Sequence, residues 1–93
     1  MQTASRALIE EVKFDQKNVT STDGNSYPIR DMKQAPESID ITRVDQPEMP
    51  PFGGGEAGCR PLAAALANAI FDATAVRLRR APFTADKVNA ALA

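Results

Sequence analysis

The sequence predicts an α+β fold: short antiparallel strands followed by a glycine-rich loop, one long helix, an extended arm and a short C-terminal helix. Two patterns set that class. In the first half, apolar residues alternate with polar ones between turn-forming clusters, the period of half-buried strands. In the second half, apolar residues recur every three to four positions, the period of a helix face. A run of prolines and glycines, "PEMPPFGGG", divides the two.

Each element has its own justification. "ALIEEVKF" reads as a short helix or loop running into a strand, because Val12 and Phe14 alternate with Glu11 and Lys13. "DQKN" is a polar turn of about four residues, and "VTST" returns as the second strand of a hairpin. "TDGNS" is a second turn. "YPIRDM" is extended, since the residue before a proline is pushed out of the helical region. "IDITRV" alternates Ile39 and Ile41 against Asp40 and Thr42 as a further strand. In "DQPEMPPF" three prolines fix φ and remove backbone donors, which makes a stiff connector. The strand region thus runs over about 7–52 and the glycine-rich loop over 53–60. The helix occupies 61–75, with Leu62, Leu66, Ile70 and Ala73 on one stripe and Pro61 in its first turn. An arm, "VRLRRAPF", covers 76–83. Thr84 then caps a last helix over 84–93, with Asp86 in the first turn meeting the helix dipole. No internal repeat is present, and the whole reads as one small domain or fragment.

Composition narrows the function. The net charge of −1 lacks the basic excess of a nucleic-acid binder. With no histidine and one cysteine, a histidine triad is excluded and a conventional zinc site is disfavoured, so no metal ligand is assigned. One cysteine also excludes an internal disulfide framework. No apolar run approaches the length of a membrane span. A chain of 93 residues with 7 prolines buries little of its surface, which points to a segment whose core is completed by other polypeptide.

The loop "GGGEAG" admits three readings. Gly53 to Gly58 matches the dinucleotide fingerprint, but that fingerprint needs a strand before it, and Glu56 would repel a pyrophosphate. The loop can instead be a flexible turn bearing a solvated glutamate, as most exposed glutamates are. The third reading starts from cost. Consecutive glycines are entropically expensive to order and are used where backbone must approach another body closely. A carboxylate held just after them and just before a helix can serve as a general base. Cys59 is read as a small packing residue rather than a pocket thiol. Arg77, Arg79 and Arg80 could contact an anionic cofactor tail, but are read first as a solvated edge or as partners for acids outside the chain.

The stretch "GGGEAGCRPLAAALANAIFDATAVRLRRAPFT" resembles the C-terminal end of the large, molybdenum-cofactor-binding subunit of the xanthine dehydrogenase and aldehyde oxidase family. It looks closest to the bacterial branch that includes isoquinoline 1-oxidoreductase. The shared pattern is a G-x-G-E motif, small residues, an alanine-rich helix ending "ANAIFDAT", an arginine-bearing arm and a "PFT" helix start. The upstream "ALIEEVKFDQKNVTSTDGNSYPIRDM" resembles the preceding segment, so the likeness runs from about Ala7 to Val88. Two departures stand out: Ala75 follows "DAT" where relatives often carry glycine, and the family's large subunits are many times longer.

The resemblance implies that Glu56 is the catalytic base, taking a proton from a molybdenum-bound hydroxyl during oxidative hydroxylation of an aldehyde or N-heterocycle. It implies that Gly54 and Gly55 let backbone approach the cofactor. The intact parent would carry a molybdopterin-type molybdenum cofactor, and the isolated chain none. The implied partners are the remainder of the molybdenum subunit and an iron–sulphur subunit or domain, in a bacterial cytoplasm or periplasm. The chain alone is then expected to be inactive. A different class remains open at this point: a non-enzymatic interaction module, or a diverged small subunit, that kept the fold.

Overall fold

The computed structural model describes residues 1–93, and its architecture is helical. Three α-helices, α1 (Gln2–Leu8), α2 (Leu62–Thr74) and α3 (Ala85–Leu92), are joined by long irregular segments that contain two single-turn 3₁₀ helices, Met32–Gln34 and Ala57–Cys59. There is no sheet. The α+β expectation with antiparallel strands is therefore corrected, because the only ladder element is one isolated antiparallel bridge between Phe14 and Val19.

That bridge shows what became of the expected hairpin. Asp15 to Asn18 do form the turn: the Asp15 carboxylate accepts from the Lys17 and Asn18 amides at 2.7 and 2.8 Å. Beyond the turn the two arms stay exposed and find no third strand. A two-stranded ribbon without a hydrophobic face to pack on is marginal at best. Ile39 to Val44 alternate as a strand should, but no neighbour pairs with them, and they run as irregular exposed chain.

The irregular region is held by local side-chain bonds instead. The Asp23 carboxylate accepts from the Asn25 and Ser26 amides at 3.1 and 2.8 Å, closing an Asx turn at "TDGNS". Asp31 and Gln34 form a reciprocal capping box around the first 3₁₀ turn.

The core is small and sits at one place. α1 packs against α2, and Ser5 and Ala7 of α1 are buried, as are Pro82 and Phe83 of the arm. The Phe83 amide donates to the Ala7 carbonyl at 2.7 Å, which fastens the arm to α1. Leu62, Leu66 and Ile70 lie along the half-buried side of α2, as their four-residue spacing requires. α3 begins at Thr84, whose hydroxyl accepts from the Lys87 amide at 3.4 Å. Lys87 also reaches Glu11 at 3.4 Å, the single ion pair of the chain.

The candidate site on the glycine loop

Two features position the loop. On its N-terminal side, Pro47, Pro50 and Pro51 deny the backbone a regular element; the Met49 amide closes a turn on the Gln46 carbonyl at 3.1 Å, and Phe52 beyond it is 77% exposed. On its C-terminal side the chain is already helical. Glu56 (φ −83°, ψ −24°) opens the 3₁₀ turn Ala57–Cys59, and the Cys59 amide donates to the Glu56 carbonyl at 3.1 Å. Arg60 and Pro61 keep helical dihedrals, and the Ala65 amide closes the first turn of α2 on Pro61 at 2.9 Å. Glu56 is thus fixed at the mouth of a helix through its backbone.

The Glu56 side chain, by contrast, is exposed and makes no hydrogen bond or ion pair. One tertiary contact ties the loop down: Thr3 Oγ1 of α1 donates to Cys59 Sγ at 3.2 Å, and Cys59 Sγ lies 3.8 Å from the Gly55 carbonyl. Cys59 is half-buried, in the packing role its size suggests.

Gly54 and Gly55 share the open surroundings of the other glycines of the chain, Gly24, Gly53 and Gly58. Neither has positive φ, so neither is glycine because of a left-handed backbone. A Cβ built on either would meet no atom of this chain within 4 Å, so neither is glycine because another part of the chain approaches. Their open face looks away from the chain's own packing. No strand precedes the loop, which removes the support the dinucleotide fingerprint needs.

Of the arginines on the arm, Arg77 is held within the chain. It donates to Asn68 Oδ1 at 2.7 Å and its guanidinium lies 4.0 Å from the centre of the Phe71 ring, a cation–π contact. Arg79 and Arg80 are exposed.

Sequence reading missed a polar cluster between α1 and residues 27–30. The Ser5 hydroxyl oxygen accepts from the Arg30 amide at 2.9 Å, and the Tyr27 hydroxyl donates to Glu10 at 2.8 Å. The Ser5 hydroxyl, then the Tyr27 hydroxyl, then the charge of Arg6 hold the Glu10 carboxyl below its ordinary range, against the opposing effect of burial. The Glu10 carboxylate in turn pushes the Tyr27 phenol up. Ser5 and Arg30 lie 25 residues apart, a separation that no local motif encodes.

Comparison with known proteins gives two relatives. Over 92 residues the chain is 45% identical to one of the subunits of nicotinate dehydrogenase from Pseudomonas putida, covering 99% of this chain and 8% of that protein. It is 39% identical over 90 residues to the aldehyde oxidoreductase of Megalodesulfovibrio gigas, covering 92% of this chain and 10% of that protein. No family model and no solved structure matches the chain. The chain is therefore homologous to a part of oxidoreductases, and it spans about a tenth of the length of these relatives or less.

Proposed function

We propose that the chain is the C-terminal, glycine-loop segment of a molybdenum-dependent oxidoreductase of the xanthine dehydrogenase and aldehyde oxidase type, with Glu56 as the catalytic base of the intact enzyme. The observation that carries this reading is the pairing of an unengaged Glu56 carboxylate with glycines that nothing in the chain itself explains. Both are features of a surface made to meet a body outside the chain. The names of the two relatives supply the chemistry: one acts on nicotinate, an N-heterocyclic acid, and the other on aldehydes. The substrate class proposed for the parent is accordingly an N-heterocycle or an aldehyde.

The residues fit the molybdopterin-type group in one testable respect. The Gly54 and Gly55 backbone has open space where side chains would stand, so a large cofactor can approach it directly. When bound, that cofactor would supply the two-electron oxidising power, which no amino-acid side chain of this chain provides. Glu56 would take up the proton released as the new carbon–oxygen bond forms. The helical backbone from Glu56 into α2 would hold the Glu56 Cα in place, leaving its unengaged carboxylate available to the site. The remainder of the molybdenum subunit, and an iron–sulphur subunit or domain to carry electrons away, are the partners this reading requires. The chain by itself would be inactive.

The test is Glu56→Gln in the full-length parent. Glutamine keeps the shape of the side chain but cannot accept a proton at neutral pH. Losing a positioned general base lowers the rate by roughly 10²–10⁴. Steady-state oxidation of nicotinate and of an aldehyde is measured with molybdenum quantified in both enzymes. The expected result is a rate loss in that range at unchanged metal content. A mutant keeping more than about a tenth of the activity, well outside the general-base range, would show Glu56 to be an ordinary surface residue.

A further inference from the structure

A cavity of about 240 Å³ opens between α1 and the Ile29–Arg30 segment, lined in part by Ser5, Arg6, Glu10, Ile29 and Arg30. Its polar groups are not balanced. Arg30 Nε is shielded from solvent and has no hydrogen-bond acceptor. Neither Arg30 nor Arg6 forms an ion pair, since the single ion pair of the chain joins Lys87 to Glu11. The one carboxylate on the wall, Glu10, is engaged by the Tyr27 hydroxyl at 2.8 Å. Two arginines thus line the cavity with a single carboxylate, which the Tyr27 hydroxyl already engages.

A buried donor on a charged group is costly to leave unpaired. Water can satisfy such a donor, but the planar guanidinium presents its N–H groups as a fork that matches a carboxylate or phosphate. The position of Arg30 is also set by its backbone, because its amide is fixed on Ser5 Oγ. The backbone of Arg30 is thus anchored at the cavity wall, and its Nε is already withdrawn from solvent there.

We propose that this cavity binds one small oxyanion, a carboxylate or a phosphate group, through the Arg30 fork and the charge of Arg6. The inference stands on these residues alone and does not depend on the role of Glu56. The oxyanion has two sources: a carboxylate side chain of polypeptide beyond this chain, or a free phosphorylated ligand.

The test uses the 93-residue chain. Arginine Nε–H and backbone amide resonances are followed by ¹H–¹⁵N spectroscopy during titration with acetate and with inorganic phosphate, at constant ionic strength against sodium chloride. Saturable shifts at the Arg30 Nε–H and at the Ser5 and Arg30 amides are expected with at least one of the two anions and not with chloride. Arg30→Lys keeps the charge but loses the fork, and should weaken binding by about tenfold or more. Arg6→Gln changes an exposed residue, leaves the fold intact and should weaken binding several-fold. Tighter acetate binding identifies a polypeptide carboxylate as the natural occupant, and tighter phosphate binding a free phosphoryl group. Shifts that never saturate, that chloride reproduces, or that persist unchanged in both variants would overturn the proposal.

Discussion

At the scale of single residues, the pair Glu10–Tyr27 makes the chain's stability depend on pH at both ends. Glu10 is depressed from an ordinary value of 4.5, so its contribution is full above that value and is lost as pH falls through the lower folded value. Tyr27 is raised from 10.0, so its contribution is full below that value and is lost as pH rises through the higher folded value. Both changes break the same bond, one by protonating the acceptor and the other by removing the donor's proton. Tyr27→Phe removes the hydroxyl and leaves the ring. The expected outcome is a stability–pH curve that loses its alkaline fall attributable to this pair and has a shallower acid fall, since Ser5 and Arg6 still favour ionised Glu10. Urea unfolding at a series of pH values reads both limbs. An alkaline limb unchanged from wild type would mean that the Tyr27–Glu10 bond contributes nothing in solution.

At the scale of elements, the end of α2 carries a strain that the sequence itself announces. Ala75 adopts φ 58°, ψ 8°, the left-handed conformation, and its amide caps the helix on the Phe71 carbonyl at 2.7 Å. A Cβ in that region costs about 1–2 kcal/mol relative to glycine. The cap persists because the surroundings demand it: the Val76 amide donates to Thr74 Oγ1 at 3.2 Å, and Arg77 must return over Phe71. Ala75→Gly should therefore stabilise the chain by about 1 kcal/mol, less the entropy that glycine loses on ordering. A rise in the urea midpoint without a change in slope would show it; a fall would mean that the cap frays in solution. The same helix shows why some elements were legible in the sequence. Leu62, Leu66 and Ile70, Pro61 in the first turn and the Thr84 cap are local signals, and a helix bonds to itself. The Phe14–Val19 turn was legible for the same reason, through Asp15. The strands read from Val12, Phe14, Ile39 and Ile41 did not form, because a strand bonds only to a lateral neighbour and this chain supplies a single bridge. The Glu56 loop was marked in the sequence by its glycines and its role stands as a proposal, whereas the Arg30–Ser5 cluster depended on chain crossing that periodicity does not record.

At the scale of the whole molecule, the chain is more open than its length requires. A compact domain of this size has a radius of gyration of about 12 Å; here it is 16.6 Å, with extents of 52 × 33 × 27 Å. Only 4 of 93 residues are buried, so the core that holds α1, α2 and the arm together is small for the length of the chain. Meanwhile Ile41 is 82% exposed and Phe52 77%, and Phe14 and Val44 are comparably bare. Single exposed apolar residues need no explanation, but so many large ones on a chain with so small a core leave apolar area that burial against other polypeptide would remove from water. On the proposed function that polypeptide is the rest of the oxidoreductase subunit, and two measurements follow. The isolated chain should bind a hydrophobic dye and self-associate with rising concentration. Replacing Ile41 and Phe52 with serine should reduce both without lowering helix content, because both residues lie outside the helices and are exposed. In the full-length parent the same pair of changes should be destabilising, by roughly 1.5–3 kcal/mol for each side chain that becomes fully buried. The comparison separates two causes of exposure. If dye binding falls and the parent is also destabilised, these side chains are docking residues of the segment. If the isolated chain proves monomeric and silent toward dye, or the parent is indifferent to both substitutions, Ile41 and Phe52 do not belong to an interface with the remainder of the subunit.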